Sequence, residues 1–411
     1  MKRLECLDGL RGVLAVYVML GHMAPFAALP AWIIDGLSHG GAAVDVFFIL
    51  SGLVILRSLE SCRFEAKPFL ILRATRIFPV YLVMLAVGLL VQTLPPYFDA
   101  MPWIVPGGRA FEIWPLGWPA AWMTELIAHL TMTHGLFPDG VLPNVWVSYL
   151  GAAWSLSTEW QFYVLALALG RSRVGAERLA GTFLILAVAG TAWDLLAPDD
   201  WRFSRAFLPN KAQYFALGIA SASWIDRRSI RSFVLVLAAT MILSVAHGQA
   251  GKLLPPLFWT LCLAAQLYPS RLAPVAMPLR WRAVQCLGAV SYPIYLANEP
   301  IHKVIGFVLA RYANGDAVLF TALWLPAAAL LPIGAAMLLH RYVEVPALRW
   351  GRAMALRSNE RLLGRVPENR HNGSKVHKGI TGFWRRMLAR PMPVPDLNPA
   401  PPQSTIPPEH R

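Results

Sequence analysis

Long apolar runs constrain this sequence more than any other feature. About ten stretches, most of them near the twenty residues that cross a bilayer as an α-helix, follow one another with polar loops between them. They lie at 10–29, 41–59, 77–94, 145–169, 180–197, 207–224, 232–247, 253–268, 286–310 and 319–339. Because a lipid-embedded backbone must satisfy its own hydrogen bonds, the runs predict an all-α integral membrane protein of about ten transmembrane helices.

Composition agrees with a multi-pass protein whose surroundings are the lipid bilayer. The 411 residues are 56% hydrophobic and only 15% charged, which excludes an ordinary soluble enzyme. The net charge of +14 is also found in nucleic-acid-binding proteins, but here the Lys and Arg residues fall in short loops and in the C-terminal tail, so no nucleic-acid partner is expected. The four cysteines form no CxxC pair and predict neither a disulfide framework nor a metal site.

The distribution of loop charge predicts the orientation of the chain. With ten spans and a cytoplasmic N-terminus, most loop Lys and Arg residues lie on the cytoplasmic side, as the positive-inside rule requires. The predicted outer loops hold only Arg109, Arg202, Arg205, Lys252 and Arg311. Both termini are therefore expected in the cytoplasm.

Two regions stand apart from the ten runs. The stretch 120–137 is apolar but carries Glu125, His129 and His134, which favours a re-entrant or interfacial helix; a full crossing there would invert the topology of everything that follows. After His340 the apolar pattern ends, so 346–390 is expected to be a basic cytoplasmic segment. The proline-rich residues 391–411 are predicted to be disordered.

An arginine and a histidine share one face of the first predicted span. Arg11 and His22 are eleven residues apart, almost three helical turns, which places them on one line about 16 Å apart along the axis. A guanidinium is suited to forked recognition of phosphate, and an imidazole is the usual general base near neutral pH. Taken singly, Arg11 could be a snorkelling anchor and His22 an interhelical hydrogen-bonding residue. Their pairing on one face favours a site.

An aspartate lies in the second predicted span, seven residues before the glycine of a Ser-Gly pair. Asp45 and Gly52 fall on about the same helical face, and a glycine there permits close approach of another helix. An aspartate in this position could orient the His22 imidazole and stabilise its charged form. The alternative is a structural polar contact between helices.

Two further segments place ionisable groups in register. Arg73 and Arg76 share a face at i,i+3 just before the third span; they read either as a positive-inside flank or, beside Arg11, as part of an anion pocket. In the fourth run, three polar residues share a face at i,i+4 spacing: Ser155, Glu159 and Tyr163. The carboxylate among aromatic rings is the second candidate acid or base, with a purely structural role as the alternative.

Taken together, these motifs resemble the membrane-bound acyltransferase 3 family, which acetylates bacterial surface polysaccharides and other glycans. The likeness extends from Leu7 to about Arg349. It comprises LDGLRG with the downstream His22, VDVFFILSG, RATRIFPVY, WSLSTEWQFY, Ser291-Tyr-Pro-Ile-Tyr-Leu, and Tyr342-Val-Glu344-Val-Pro346. Each motif alone is weak, but six in this order over a ten-span layout are specific.

The resemblance implies a transmembrane acyltransferase domain over residues 1–345. It implies an O-acetyltransferase that moves an acyl group, usually acetyl, from cytoplasmic acyl-CoA to a carbohydrate hydroxyl, with acetyl-CoA as donor substrate and no bound cofactor. The localisation that it implies is a bacterial inner membrane. The catalytic candidates are His22, Asp45 and Glu159, and the acyl-CoA-binding candidates are Arg11, Arg73 and Arg76. The supporting candidates are Ser51, Ser155, Tyr163, Tyr295, Asn298 and His302.

One departure from the family pattern affects the predicted chemistry. Where the family usually has histidine after the Ser-Tyr-x-x-Tyr-Leu run, this chain has Asn298, which can form hydrogen bonds but cannot take up a proton. His302, one turn further on, is the candidate replacement. The alternative function is a transporter or flippase of a lipid-linked glycan or acyl donor, since transporters also bury charges at mid-membrane. The lack of paired, Gly/Pro-broken half-spans counts against it.

Overall fold

The computed structural model describes residues 4–96, 98–115, 117–171, 175–226, 230–246 and 250–363. Within these ranges the chain is almost entirely helical and has no β-strand; Pro138 and Phe203 form an isolated antiparallel bridge. The all-α class is therefore confirmed. Two compact units divide after Asn359, and all the candidate site residues belong to the first. The predicted proline-rich tail, 391–411, lies outside the described residues, as does the basic segment beyond residue 363.

Sixteen α-helices are found in the described residues. Those in the first half of the chain are α1 (Glu5–Met23), α2 (Ala31–Leu37), α3 (Gly40–Ser61), α4 (Ala66–Val91), α5 (Arg109–Ile113), α6 (Trp122–Leu130), α7 (Trp154–Gly170) and α8 (Ala176–Leu196). Those in the second half are α9 (Ala212–Ile225), α10 (Ile230–Ala246), α11 (Leu254–Leu267), α12 (Ala273–Arg280), α13 (Arg282–Ala289), α14 (Ser291–Ala313), α15 (Ala317–Leu339) and α16 (Val345–Leu363). A π-helical turn, His340–Glu344, joins α15 to α16.

Every predicted span coincides with at least one helix, although not every helix is long enough to cross a bilayer. Five helical segments of the described chain have the length and composition of membrane spans: Glu5–Phe26, Ala31–Ser61, Ala66–Val91, Ala176–Leu196 and Ala317–Ser358. The predicted span 286–310 is divided between α13 and α14 at Val290, and 145–153 forms short turns before α7. A membrane protein is thus supported, while the count of ten crossings and the cytoplasmic termini stay predictions.

The uncertain stretch 120–137 contains α6, which has nine residues. At 1.5 Å per residue α6 is about 14 Å long, roughly half the hydrocarbon thickness of a bilayer. This length favours the re-entrant or interfacial helix over an additional crossing. Two buried histidines stack in this stretch: the ring centroids of His129 and His134 are 4.1 Å apart. Burial lowers the pKa of His134 to about 4, so this imidazole is neutral near pH 7.

Glycines bring α3 and α9 into direct backbone contact. A Cβ added at Gly52 would lie 2.3 Å from the carbonyl oxygen of Phe215, and one added at Gly218 would lie 1.9 Å from that of Ile49. Side chains larger than hydrogen would force these helices apart. The close approach predicted for Gly52 is therefore confirmed, and its partner helix is α9.

Candidate active site

The N-terminal half of α1 is held against α12 and α13 by glycines of the LDGLRG motif. A Cβ at Gly9 would lie 1.9 Å from the carbonyl oxygen of Leu279, and one at Gly12 would lie 2.6 Å from the backbone nitrogen of Gly288. Both glycines are thus explained by backbone packing rather than by contact with a ligand. The packing places the intervening Arg11, half-buried, at the edge of a cavity.

This cavity, which we call the arginine cavity, lies among α1, α3, α4, α7 and α14. Its volume is about 860 Å³ when the space at its solvent-open mouth is counted. Eight of the twelve candidate site residues line it: Arg11, Ser51, Arg73, Arg76, Ser155, Glu159, Tyr163 and Tyr295. The fold therefore gathers predicted residues from five helices into one space, although their individual roles stay predictions. His22, Asp45, Asn298 and His302 are not part of its lining.

The three arginines of the cavity differ in their partners. The Nε atoms of Arg11 and Arg73 are buried and have no hydrogen-bond partner, while Nη2 of Arg73 donates to Oγ of Ser58 at 3.1 Å. Arg76 forms an ion pair with the fully buried carboxylate of Glu344. Within the described residues, Arg11 and Arg73 therefore have no carboxylate partner, whereas the charge of Arg76 is already balanced by Glu344. A role in the positive-inside rule alone does not explain why Arg73 and Arg76 both line the cavity.

Glu344 owes its position to the π-helical turn between α15 and α16. Such turns add a residue to the helical repeat and often occur at functional sites. Within the turn, Nδ1 of His340 contacts Oε2 of Glu344 at 2.7 Å, while the other carboxylate oxygen accepts from Arg76. The ring of Tyr292 lies 5.3 Å from the Arg76 guanidinium. Arg76 is therefore held from two sides.

Glu159 is the carboxylate of the cavity, and two hydroxyl groups donate to the same oxygen. Tyr163, one turn further along α7, donates to Oε1 at 2.5 Å, and Ser51 of α3 donates to it as well. Ser155, one turn before Glu159, forms a hydrogen bond of 2.9 Å with the hydroxyl of Tyr295 on α14. The shared face predicted from i,i+4 spacing is therefore present. Oε1 of Glu159 is therefore an acceptor shared by hydroxyl groups from two helices.

His22 makes its hydrogen bond with α14. Nδ1 of His22 lies 2.6 Å from Oδ1 of Asn298, and both amide hydrogens of Asn298 are donated to backbone carbonyls, those of Ile294 at 3.0 Å and Tyr295 at 2.8 Å. His22 itself is half-buried, while Asn298 is fully buried. Asn298 is three residues, about one helical turn, beyond Tyr295, which lines the cavity.

The predicted pairing of Asp45 with His22 is wrong. Oδ1 of Asp45 accepts a hydrogen bond from Nζ of Lys211 at 2.7 Å, in a nearly buried ion pair between α3 and the turn before α9. The ammonium also lies 5.8 Å from the ring of Trp154 and 5.6 Å from that of Tyr214. Because α3 and α9 are in backbone contact, this geometry matches the alternative reading, a polar contact between helices.

The contacts of His302 do not support the prediction that it replaces the family histidine. Its Nε2 contacts the carbonyl oxygen of Ala328 at 2.8 Å, and its ring lies 5.5 Å from that of Trp324, so it faces α15. Its Nδ1 is buried with no hydrogen-bond partner. The residue that contacts His22 is Asn298 itself.

Sequence reasoning gave no role to several charged residues of the site. Lys211 neutralises Asp45, and Glu344 neutralises Arg76. On α14, Nζ of Lys303 contacts Oε1 of Glu299 at 2.9 Å, and the other oxygen of Glu299 accepts the backbone N–H of Ala152 at 3.2 Å just before α7 begins. The signal that could have found Glu299 and Lys303 is their i,i+4 spacing inside an apolar run, where unpaired charges are costly.

The fold and the cavity define a helical membrane protein with a cation-lined polar site among its helices. A family model described as an acyltransferase domain, that of the acyltransferase 3 family, matches residues 4–341, and the chain belongs to this family. Acyltransferase MdmB of Streptomyces mycarofaciens is 26% identical over 384 residues, which covers 84% of this chain and 92% of the relative. No solved structure matches the chain. The resemblance inferred from the motifs is thus confirmed, and the protein is an acyltransferase.

Proposed function

We propose that this acyltransferase moves an acyl group, most simply acetyl, from cytoplasmic acyl-CoA to a hydroxyl of a surface or exported carbohydrate in a bacterial inner membrane. One observation carries the donor part of the proposal. A single cavity is lined by Arg11 and Arg73, which have no carboxylate partner in the described residues, by Glu159, and by Tyr295, one helical turn before the Asn298 that contacts His22. The carbohydrate acceptor is supported by the family motifs.

The spacing along α1 suits a long donor with a charged end. Arg11 and His22 are about 16 Å apart along the helix axis, similar to the length of an extended pantetheine arm. Phosphate oxygens of coenzyme A would accept hydrogen bonds from Arg11 and Arg73, since planar guanidinium groups match phosphate in a fork. The thioester would then extend beyond Tyr295 of the lining towards His22, whose partner Asn298 is one turn further along α14.

The proposed chemistry needs a base for the acceptor hydroxyl. The imidazole of His22 accepts the hydroxyl proton as the oxygen attacks the thioester carbonyl. The C–S bond breaks, the ester C–O bond forms, and the departing thiolate takes the proton from the imidazolium, so atoms and charges balance. Neither Asp45, which is paired with Lys211, nor His302, which faces α15, is in contact with this base.

The test compares two histidine variants in nanodiscs. With saturating acetyl-CoA and a carbohydrate acceptor, His22→Gln should lower the rate of coenzyme A release by about 10²–10⁴-fold, the usual contribution of a general base, while donor binding is retained. His39→Gln, an exposed histidine just before α3, is the matched control and should behave like the wild type.

Wild-type turnover in His22→Gln at normal folded yield would show that the histidine is a packing residue. A chain that only moves a lipid-linked glycan or an acyl donor would release no coenzyme A in any variant. Mass spectrometry of the surface polysaccharide, with and without the protein, tests the acceptor class. The expected result is an acetyl mass difference that depends on the protein.

A further inference from the structure

The orientation of the Asn298 amide is determined by its surroundings. Its Nδ2 atom lies within hydrogen-bond distance of two carbonyl oxygens, those of Ile294 and Tyr295. If the amide were rotated by 180°, its own oxygen would face those two acceptors, which is unfavourable. Because only one orientation satisfies the network, Oδ1 is the atom that faces His22.

The amide orientation in turn determines where the proton of His22 lies. Oδ1 can only accept, so Nδ1 of His22, 2.6 Å away, must donate. A neutral imidazole carries one proton, and with that proton on Nδ1 the lone pair available for chemistry is on Nε2. The ring plane is also restrained, since a hydrogen bond at Nδ1 is directional.

We propose that Asn298 is a positioning residue that holds His22 in the tautomer with Nδ1 protonated and Nε2 free to act as the base. This inference rests on the proposed function of His22. It also explains how asparagine can stand at position 298, where the family usually has histidine. Orienting an imidazole requires a hydrogen-bond acceptor but no group that takes up a proton.

The charged groups near the pair leave this arrangement intact. Glu299 and His302 of α14 are close enough to His22 to interact with it electrostatically. The carboxylate of Glu299 is balanced by Lys303 at 2.9 Å and accepts from Ala152, so it is already engaged. The group in hydrogen-bond contact with Nδ1 is thus a neutral amide, which keeps the same charge at every working pH.

The direct test observes the tautomer in the wild-type protein. In liposomes containing protein labelled with ¹⁵N-histidine, the solid-state NMR spectrum of His22→Gln is subtracted from that of the wild type to isolate His22. The expected spectrum at neutral pH has a protonated Nδ1 and an unprotonated Nε2. A protonated Nε2 would overturn the proposal. This readout needs no turnover, so it decides the tautomer even if acetyl-CoA is not the donor.

Two variants test the consequence for catalysis. Asn298→Leu has a side chain of similar size but no acceptor. It should lower kcat by a factor between about ten and 10⁴, where the larger value is the effect of holding a base in its wrong tautomer. The KM for acetyl-CoA should be unchanged. Asn298→Asp keeps the acceptor and adds a charge that favours the imidazolium. Its kcat/KM should recover at high pH, and the acid limb of its pH profile should move upward by about one pH unit or more.

A merely structural asparagine would not move that limb. If Asn298→Asp loses activity equally at all pH values while its folded yield is normal, Asn298 does not act through His22. If the wild type turns over and His22→Gln does not, the proposed function stands, and an unshifted profile then counts against Asn298 alone.

Discussion

Lysine in place of Arg11 tests whether the cavity binds the donor through a guanidinium fork. The Nε of Arg11 is buried and unpaired, and the side chain lines the arginine cavity. A phosphate held by two of its N–H groups would lose one directed bond in Arg11→Lys, while the positive charge is kept. A hydrogen bond to a charged group contributes about 1.5–3 kcal/mol, which corresponds to about 10- to 150-fold in affinity.

The assay measures coenzyme A release in nanodiscs over a range of acetyl-CoA concentrations, together with direct donor binding. We expect KM for acetyl-CoA to rise by about 10- to 150-fold in Arg11→Lys, with measurable kcat at saturation. Arg57→Lys is the matched control, because Arg57 is paired with Asp226 at 2.8 Å and is not part of the cavity lining. An unchanged KM in Arg11→Lys at normal folded yield, or an equal rise in the control, would refute the reasoning.

Two further predictions concern the α3–α9 contact. Gly218→Ala places a Cβ 1.9 Å from a backbone oxygen of α3, so the free energy of unfolding should fall by about 1–3 kcal/mol. The measurement is the melting temperature in detergent, which should be lower than that of the wild type. Gly181→Ala, which has no atom within 4 Å of its added Cβ, is the control and should melt like the wild type. Asp45→Asn and Lys211→Met should each leave one buried charge unpaired, which lowers the free energy of unfolding by about 3–5 kcal/mol and therefore lowers the folded yield. The double variant should recover much of this loss. Normal folding of Asp45→Asn with lost turnover would instead give Asp45 a part in the chemistry.

Contacts within one helix were predictable because helical geometry determines them. The i,i+4 spacing of Glu159 and Tyr163 was enough to predict one face, and the structure has their hydrogen bond at 2.5 Å. The spacing of Arg73 and Arg76 likewise predicted a shared position, which the cavity lining bears out. The apolar runs predicted the helices for the same reason, since each run carries its own periodicity and length.

Contacts between helices were not predictable, because periodicity does not say which helix faces which. Asp45 and His22 are both polar residues in early apolar runs, yet their partners are Lys211 and Asn298, 166 and 276 positions away along the chain. Apolar composition also fails to separate a helix from a buried turn. In the run 145–169, Tyr149 has φ of +60° and the helix begins only at Trp154.

Charge balance and the proposed role of the His22–Asn298 pair give different expectations for the two classes of function considered for this chain. In the described residues, the cavity has three guanidinium groups and two carboxylates, Glu159 in the lining and Glu344 paired with Arg76, so the site favours an anionic ligand. A phosphate-bearing lipid carried across the membrane would use those cations as readily as coenzyme A. It would gain nothing from the proposed Nε2 base, whereas attack on a thioester would use both the cations and the base. Loss of turnover in His22→Gln with donor binding retained therefore discriminates transferase from transporter.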